Sequence, residues 1–116
     1  MNVTANNQTV VAQEEMLNTL RQDIITLLPS GTSVLLFGSR ARGTHRPDSD
    51  WDLLVLLDRD GCSTWEDYDT VGYPLNMLFW NLGQDVNTII QTKDEWNQKH
   101  FTPFYKNVME DAILLV

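Results

Sequence analysis

Two short stretches decide the fold of this sequence: LFGSRARG at residues 36–43 and SDWDLL at residues 49–54. An apolar run at residues 34–37 leads into the first stretch. Turn residues flank this run, so it is predicted to be a short buried strand. The second opens a run, residues 51–57, with apolar side chains on both faces, which is typical of a central strand. The polar segment between the two strands, residues 38–50, predicts a loop, or a helical turn followed by a loop.

Helical spacing, caps and proline positions predict the remaining elements. These are a helix over residues 12–28, a helix from Ser63 or Thr64 towards Leu82 that Pro74 kinks or divides, a strand over residues 85–91, a short helix capped by Thr92, a helix within residues 101–111 and an edge strand over residues 113–116. The second of these helices has a predicted inward stripe of Tyr68, Val71, Leu75, Leu78 and Leu82. The order predicts an α/β (α+β) fold, a small mixed β-sheet with helices packed on it. Residues 1–10 are predicted to be a flexible N-terminal tail, and residues 11–116 a single domain.

The acidic composition narrows the classes of ligand. The 116 residues carry a net charge of −8, which argues against general nucleic-acid binding, because such a protein neutralises phosphates over a broad surface. Three of the eight Lys and Arg residues nevertheless fall in one segment, as Arg40, Arg42 and Arg46. This local cluster suits a compact anionic ligand, with a solvated basic loop as the alternative.

The sequence shows no sign of a membrane or secretory context. Apolar runs such as residues 53–57 are far too short to span a bilayer, and residues 1–10 lack the features of a signal peptide. Cys62 is the only cysteine, so an internal disulfide is excluded. The protein is therefore expected to be cytoplasmic, without a membrane partner.

The residues that follow the first strand have the chemistry of a phosphate cradle. Gly38 allows a sharp turn and a close approach of a ligand to the backbone. If the next residues form a helical turn, its free N–H groups favour an anion. Ser39 can add a hydroxyl donor, and Arg40 and Arg42 can donate to phosphate oxygens.

The start of the second strand has the chemistry of a metal site. Asp50 and Asp52 lie two positions apart, so their side chains project from one face of the strand. Two carboxylates on one face repel each other unless a cation lies between them, and oxygen ligands beside a phosphate-bearing substrate favour Mg2+. A calcium-binding loop that begins at Asp48 is excluded, because Leu53 and Arg59 replace its required glycine and closing glutamate.

Gly-Ser, ten intervening residues and Asp-x-Asp on a strand together resemble the signature of the DNA polymerase β-like nucleotidyltransferase superfamily. Gly38-Ser39 and Asp50-Trp51-Asp52 match this spacing. The residues RARG at 40–43 match the form typical of the minimal nucleotidyltransferases (MNT) of that superfamily. The signature covers residues 34–57, and the order of elements up to Trp96 also fits the family's small domain.

The resemblance implies a nucleotidyltransferase fold and a definite activity. Family members transfer a nucleoside monophosphate, often AMP from ATP, to a hydroxyl-type acceptor and release pyrophosphate. The pair Gly38-Ser39 would contact the triphosphate, with Arg40 and Arg42 beside it. Asp50 and Asp52 would be the catalytic metal ligands for Mg2+, in an arrangement that accommodates two metal ions. Some minimal relatives pair with a HEPN-domain protein, in certain cases as an antitoxin that adenylylates it, so a HEPN-type partner is expected.

The sequence departs from the family at one position. Relatives commonly have a third carboxylate on the next strand, and counting back from residues 92–96 places Asn87 there, which has no charge and cannot act as a base. Asp85, two residues earlier on the same strand face, is the candidate third metal ligand, with Asn87 as the alternative position. The intact Gly-Ser and Asp-x-Asp favour a metal-dependent enzyme. Asn87 favours a catalytically weakened nucleotide-binding or partner-docking module.

Overall fold

The computed structural model describes residues 2–116, with side chains from residue 13 onward. Its elements in chain order are α1 (Asn2–Leu27), β1 (Ser33–Phe37), α2 (Ser39–Arg42), β2 (Trp51–Leu57), α3 (Trp65–Asp67), a π turn (Tyr68–Gly72), α4 (Tyr73–Trp80), β3 (Val86–Thr92), α5 (Lys93–Gln98), α6 (Pro103–Asp111) and β4 (Ile113–Leu114). None of the helices described is long and apolar enough to cross a membrane.

The first helix begins earlier than the sequence pattern predicts. Residues 2–10, for which a flexible tail is predicted, belong to α1, and Met1 lies outside the described residues. No residue of α1 is Pro or Gly, so nothing in this segment interrupts the helical backbone. Its buried residues Leu17, Leu20 and Ile24 recur at helical spacing and anchor α1 on the sheet.

Four strands form one mixed sheet in the order β3-β2-β1-β4. β2 is antiparallel to β1 and parallel to β3, while β4 pairs with the other side of β1. The predicted interior position of β2 is confirmed, and all residues from Leu53 to Leu57 are buried. The predicted α/β fold class, with helices packed on a small mixed sheet, is confirmed as well.

Helices cover the two faces of the sheet unequally. One face packs against α1 and α4 in the larger cluster of buried side chains, which includes Ile24, Trp51 and Phe79. The other face packs against α5 and α6 in a smaller cluster, which consists of Leu54, Leu56, Trp96 and Val108. Side chains two positions apart on a strand share a face, so Asp52 projects on the same side as Leu54, towards α6.

The helical segment between β2 and β3 differs from the prediction in its register and in its end. The interruption expected from Pro74 is confirmed: this proline lies in the first turn of α4, directly after the π turn. Val71 is buried as predicted, but Tyr68 and Leu82 are 45% and 49% exposed, and Phe79 is fully buried instead. The predicted inward stripe is therefore wrong at both ends: Tyr68 lies in the π turn, where α-helical spacing does not hold, and Leu82 lies beyond the end of α4 at Trp80.

Candidate active site

Gly38 at the end of β1 and Asp52 at the start of β2 are in contact. Phe37, the residue before the glycine, pairs directly with Asp52, and Gly38 has a φ of 75°. A Cβ atom at Gly38 would overlap Oδ2 of Asp52 and lie 3.2 Å from its Cγ. Glycine is required at this position because a positive φ coincides with a neighbouring carboxylate. The two halves of the predicted site therefore meet at one end of the sheet.

The predicted helical turn after this glycine is confirmed as α2. The N–H groups of Ala41 and Arg42 both donate to the carbonyl of Gly38, each at 3.1 Å. The turn ends at Gly43, whose N–H donates to the carbonyl of Ser39. The first amide groups of a helix precede its first internal hydrogen bond. The N–H groups at the start of α2 are thus the donors that an anion beside Gly38 would meet.

Asn87 joins the two aspartates. It pairs with Asp52 in the register of β2 and β3, and its amide nitrogen Nδ2 donates to Oδ2 of Asp50 and to Oδ1 of Asp52, each at 3.3 Å. One neutral donor thus bridges two carboxylates and offsets part of their repulsion. Asp50 and Asn87 are exposed, so a ligand can approach the group from solvent.

Asp85 does not join them, which corrects its predicted place as third metal ligand. It precedes β3, and its backbone carbonyl accepts a hydrogen bond from the N–H of Trp51 at 2.9 Å. Within the part of the chain that the structure describes, no three acidic, His or Cys side chains lie close enough to share a metal ion. The register of β3 aligns Asn87, and not Asp85, with Asp52.

Arg40 points away from the phosphate cradle, which corrects its predicted role. Its side chain is only 4% exposed and donates to the carbonyl of Ser49 from Nε at 3.0 Å and from Nη2 at 2.8 Å. Nη2 also lies 3.1 Å from the carbonyl of Pro47, and the guanidinium carbon is 4.1 Å from the ring centroid of Trp51. Burial lowers the pKa of Arg40 from its usual value. Arg40 therefore holds the loop that carries Asp50, where a phosphate cannot reach it.

Arg42 lies on the open side of α2. Its Nη1 is 3.4 Å from Oδ2 of Asp111 in α6, and the two side chains are 48% and 29% exposed. Arg42 and Gly38 both line a cleft of about 410 Å³ between α2 and α6. Of the two arginines predicted to contact phosphate, Arg42 is the one that can reach a ligand. The proximity of α6 to Arg42 could not be predicted from the sequence, because no local pattern relates residues so distant along the chain.

Comparisons with known proteins agree with this fold. A profile of the nucleotidyltransferase domain family matches residues 17–115. A Methanocaldococcus jannaschii protein named "Putative protein adenylyltransferase" is 32% identical over 82 residues, which cover 71% of this chain and 75% of that protein. A solved structure described as "Crystal structure of the toxin-antitoxin with AMP-PNP" shares the fold, with a TM-score of 0.55 and 22% identity over 89% of this chain and 72% of that one.

These matches assign the domain to a class of transferases that act on nucleotides. This chain belongs to the nucleotidyltransferase domain family, and the resemblance drawn from residues 34–57 is confirmed.

Proposed function

We propose that this chain transfers AMP from ATP to a hydroxyl-type acceptor on a partner protein, with Mg2+ bound at its aspartates. The observation that carries the proposal is the contact between Gly38 and Asp52, which brings the candidate phosphate cradle and the candidate metal ligands together at one end of the sheet. The name of the M. jannaschii relative, a protein adenylyltransferase, supports both the transferred group and the protein acceptor. The resemblance to minimal nucleotidyltransferases supports a HEPN-type partner.

The residues present fit a hard cation. Asp50 and Asp52 offer carboxylate oxygens, and rotation of the Asn87 amide would add a carbonyl oxygen to the same group. Mg2+ is commonly bound by one or two carboxylates together with substrate phosphates, which is the arrangement available here. When bound, the ion neutralises phosphate charge and stabilises the oxygens that attack and leave, and a second ion would share this work.

The chain itself supplies position and charge. The N–H groups at the start of α2, with the Ser39 hydroxyl, would donate to oxygens of the triphosphate. Arg42 would balance charge on the departing pyrophosphate. Asn87 cannot take the proton of the acceptor hydroxyl. Another group must therefore take that proton.

A second candidate function is a nucleotide-binding module that docks a partner in the manner of an antitoxin. The observation that favours it is the neutral Asn87 at the position where a third carboxylate is expected. Such a module would still bind the nucleotide but would transfer AMP slowly.

Label transfer tests the first function against the second. We would incubate the protein with ATP labelled at the α-phosphate, Mg2+ and cell extract, and compare it with the double variant Asp50→Ala/Asp52→Ala. A matched control is Asp58→Ala/Asp60→Ala, because these exposed aspartates have the same spacing just after the other end of β2. We expect a labelled protein that only the first double variant fails to produce.

Two other outcomes decide against this function. Transfer that persists in the Asp50→Ala/Asp52→Ala variant contradicts the proposal outright. Absence of transfer, together with ATP binding and a partner that copurifies in stable complex, supports the docking module.

A further inference from the structure

The cleft between α2 and α6 adjoins the candidate active site. Its walls include Phe37, Gly38 and Arg42 on one side and Phe104, Asn107 and Asp111 on the other. Its volume of about 410 Å³ falls within the range of roughly 300–1,000 Å³ that is usual for small-molecule sites. Of these residues, the mechanism proposed above uses only Gly38 and Arg42.

The cleft and the carboxylates lie on the same face of the sheet. Phe37 pairs with Asp52, and Asp52 pairs with Asn87. Directly paired residues of neighbouring strands project to the same face, so these side chains form one row. Gly38 borders both the cleft and Asp52. A ligand with phosphates beside Asp52 can therefore extend into the cleft.

One wall of the cleft offers a fixed aromatic surface. Phe104 is 41% exposed, and its ring is held by edge-on contacts with Phe37 at 6.1 Å and with Trp96 at 5.9 Å between centroids. Two roughly perpendicular contacts restrict the rotation of this ring. A partly exposed and oriented aromatic ring is a surface on which a nucleobase can stack.

The charge of the same α6 wall determines how a nucleotide would be oriented in the cleft. Glu110 and Asp111 line the cleft and would repel phosphate groups, whereas carboxylates accept hydrogen bonds from sugar hydroxyls. Asn107 adds an amide that can donate to and accept from the edge of a base. The phosphates of a nucleotide would thus remain at α2, and its neutral half would lie against α6.

We propose that this cleft binds the nucleoside half of the triphosphate, with the ribose hydroxyls at Asp111 and the base against Phe104. This inference rests on the proposed function, since it assumes that the phosphates lie at Gly38 and Asp52. The exposed ion pair of Arg42 with Asp111 is weak and easily exchanged. Arg42 then turns to a phosphate as Asp111 accepts from the sugar.

Comparing ATP with inorganic tripolyphosphate tests the inference, because the two ligands differ by the nucleoside. We would measure both dissociation constants by calorimetry in the presence of Mg2+, for the natural chain and for Phe104→Leu and Asp111→Asn. Each variant should weaken ATP binding about fivefold or more, as expected for a lost stacking partner or sugar contact, and should bind tripolyphosphate at least as tightly as before.

Matched controls separate these contacts from general effects. Phe101→Leu changes a Phe that is 70% exposed and does not line the cleft, and Asp69→Asn removes an exposed carboxylate elsewhere. Both should leave the two dissociation constants unchanged. Circular dichroism and the melting temperature of each variant show whether the fold is retained.

The outcomes distinguish this inference from the proposed function. If Phe104→Leu and Asp111→Asn both bind ATP normally, or if the natural chain binds ATP no more tightly than tripolyphosphate, the cleft is not the nucleoside site. The proposed function then still stands, provided that Asp50→Asn/Asp52→Asn abolishes the binding of both ligands. If the natural chain binds neither ligand, both proposals are overturned.

Discussion

Asn87 and Asp52 face each other across the parallel pair β2 and β3, and the Asn87 amide nitrogen lies 3.3 Å from Oδ1 of Asp52. The same nitrogen lies 3.3 Å from Oδ2 of Asp50. This donor offsets part of the repulsion between the two carboxylates. We therefore expect the domain to fold in chelator as well as in the presence of divalent metal.

Replacing this amide should make the site depend on metal. We expect Asn87→Asp to lower the free energy of unfolding by on the order of 1 kcal/mol in chelator, because three carboxylates then repel one another. We expect the same variant to bind Mn2+ roughly tenfold more tightly, because ligand charge count sets the affinity of such sites. Thermal melts with and without Mn2+, and a Mn2+ titration, measure both effects. Asp85→Asn is the control and should change neither, and unaltered Mn2+ affinity in Asn87→Asp would contradict the position assigned to Asn87.

Two glycines allow the contact at the site to be tested apart from backbone strain. Gly38 and Gly43 have φ values of 75° and 77°, but a Cβ at Gly43 would meet no atom within 4 Å. Gly43→Ala should cost about 1 kcal/mol of stability through the positive φ alone. Gly38→Ala should cost more and should also weaken Mn2+ binding, because its methyl group displaces Asp52. Chemical denaturation and a Mn2+ titration measure these effects, and equal behaviour of the two variants would mean that the close approach has no role.

The buried guanidinium of Arg40 should affect the metal site through the loop. Arg40→Lys keeps the charge but loses the planar fork that reaches the carbonyls of Pro47 and Ser49. We expect a loss of about 2–3 kcal/mol in the free energy of unfolding, and weaker Mn2+ binding because the loop carrying Asp50 loosens. Urea denaturation measures the first effect and a Mn2+ titration the second, with the exposed Arg46→Lys as control. Lower ATP affinity at unchanged stability would instead restore a phosphate-binding role for Arg40.

The ion pair between Arg59 and Asp67 should make stability depend on acid pH. The hydrogen bond from Arg59 lowers the pKa of Asp67 from 3.8 to about 2, and the Asp67 side chain is 9% exposed. Because the folded value lies below the unfolded one, the stabilisation is present above pH 4 and is lost as the pH falls towards 2.

We expect this contribution to be on the order of 1 kcal/mol, since solvent screens the partly exposed Arg59. Denaturation of the natural chain and of Asp67→Asn between pH 6 and pH 2, taken as roughly bracketing this titration, should show a stability difference that shrinks with acid. The exposed Asp69→Asn should show no such trend. A difference that stays constant across this range would rule out the ion pair as its source.

The sequence predicts elements well where local chemistry marks them. Turn residues bound the strands on both sides, and the cap at Thr92, which accepts from the N–H of Glu95, identifies the end of β3 and hence the position of Asn87. The two ends of the inward stripe could not be predicted, because no residue pattern marks the π turn at Tyr68 or the end of α4 before Leu82.

The site was predictable in its residue types more than in its contacts. Gly38, Asp50 and Asp52 follow from spacing; Gly38 contacts Asp52, and Asn87 links Asp52 to Asp50. The role of Arg40 could not be predicted from the sequence, because its guanidinium could face either the phosphate cradle or the loop that carries Asp50. Its packing against the ring of Trp51 directs it to the loop. The wall formed by Phe104 and Asp111 depends on how α6 packs, which is a property of the whole fold.

The unequal covering of the two sheet faces has a consequence for local opening. α6 is attached through the smaller cluster around Trp96 and Val108, whereas α1 and α4 share the larger one. Local opening costs less where less apolar surface is buried. Amide hydrogens of α6 should therefore exchange with solvent well before those of β2. The α6 wall of the cleft can then open locally to admit or release a ligand, while the layer formed by α1 and α4 keeps the domain folded.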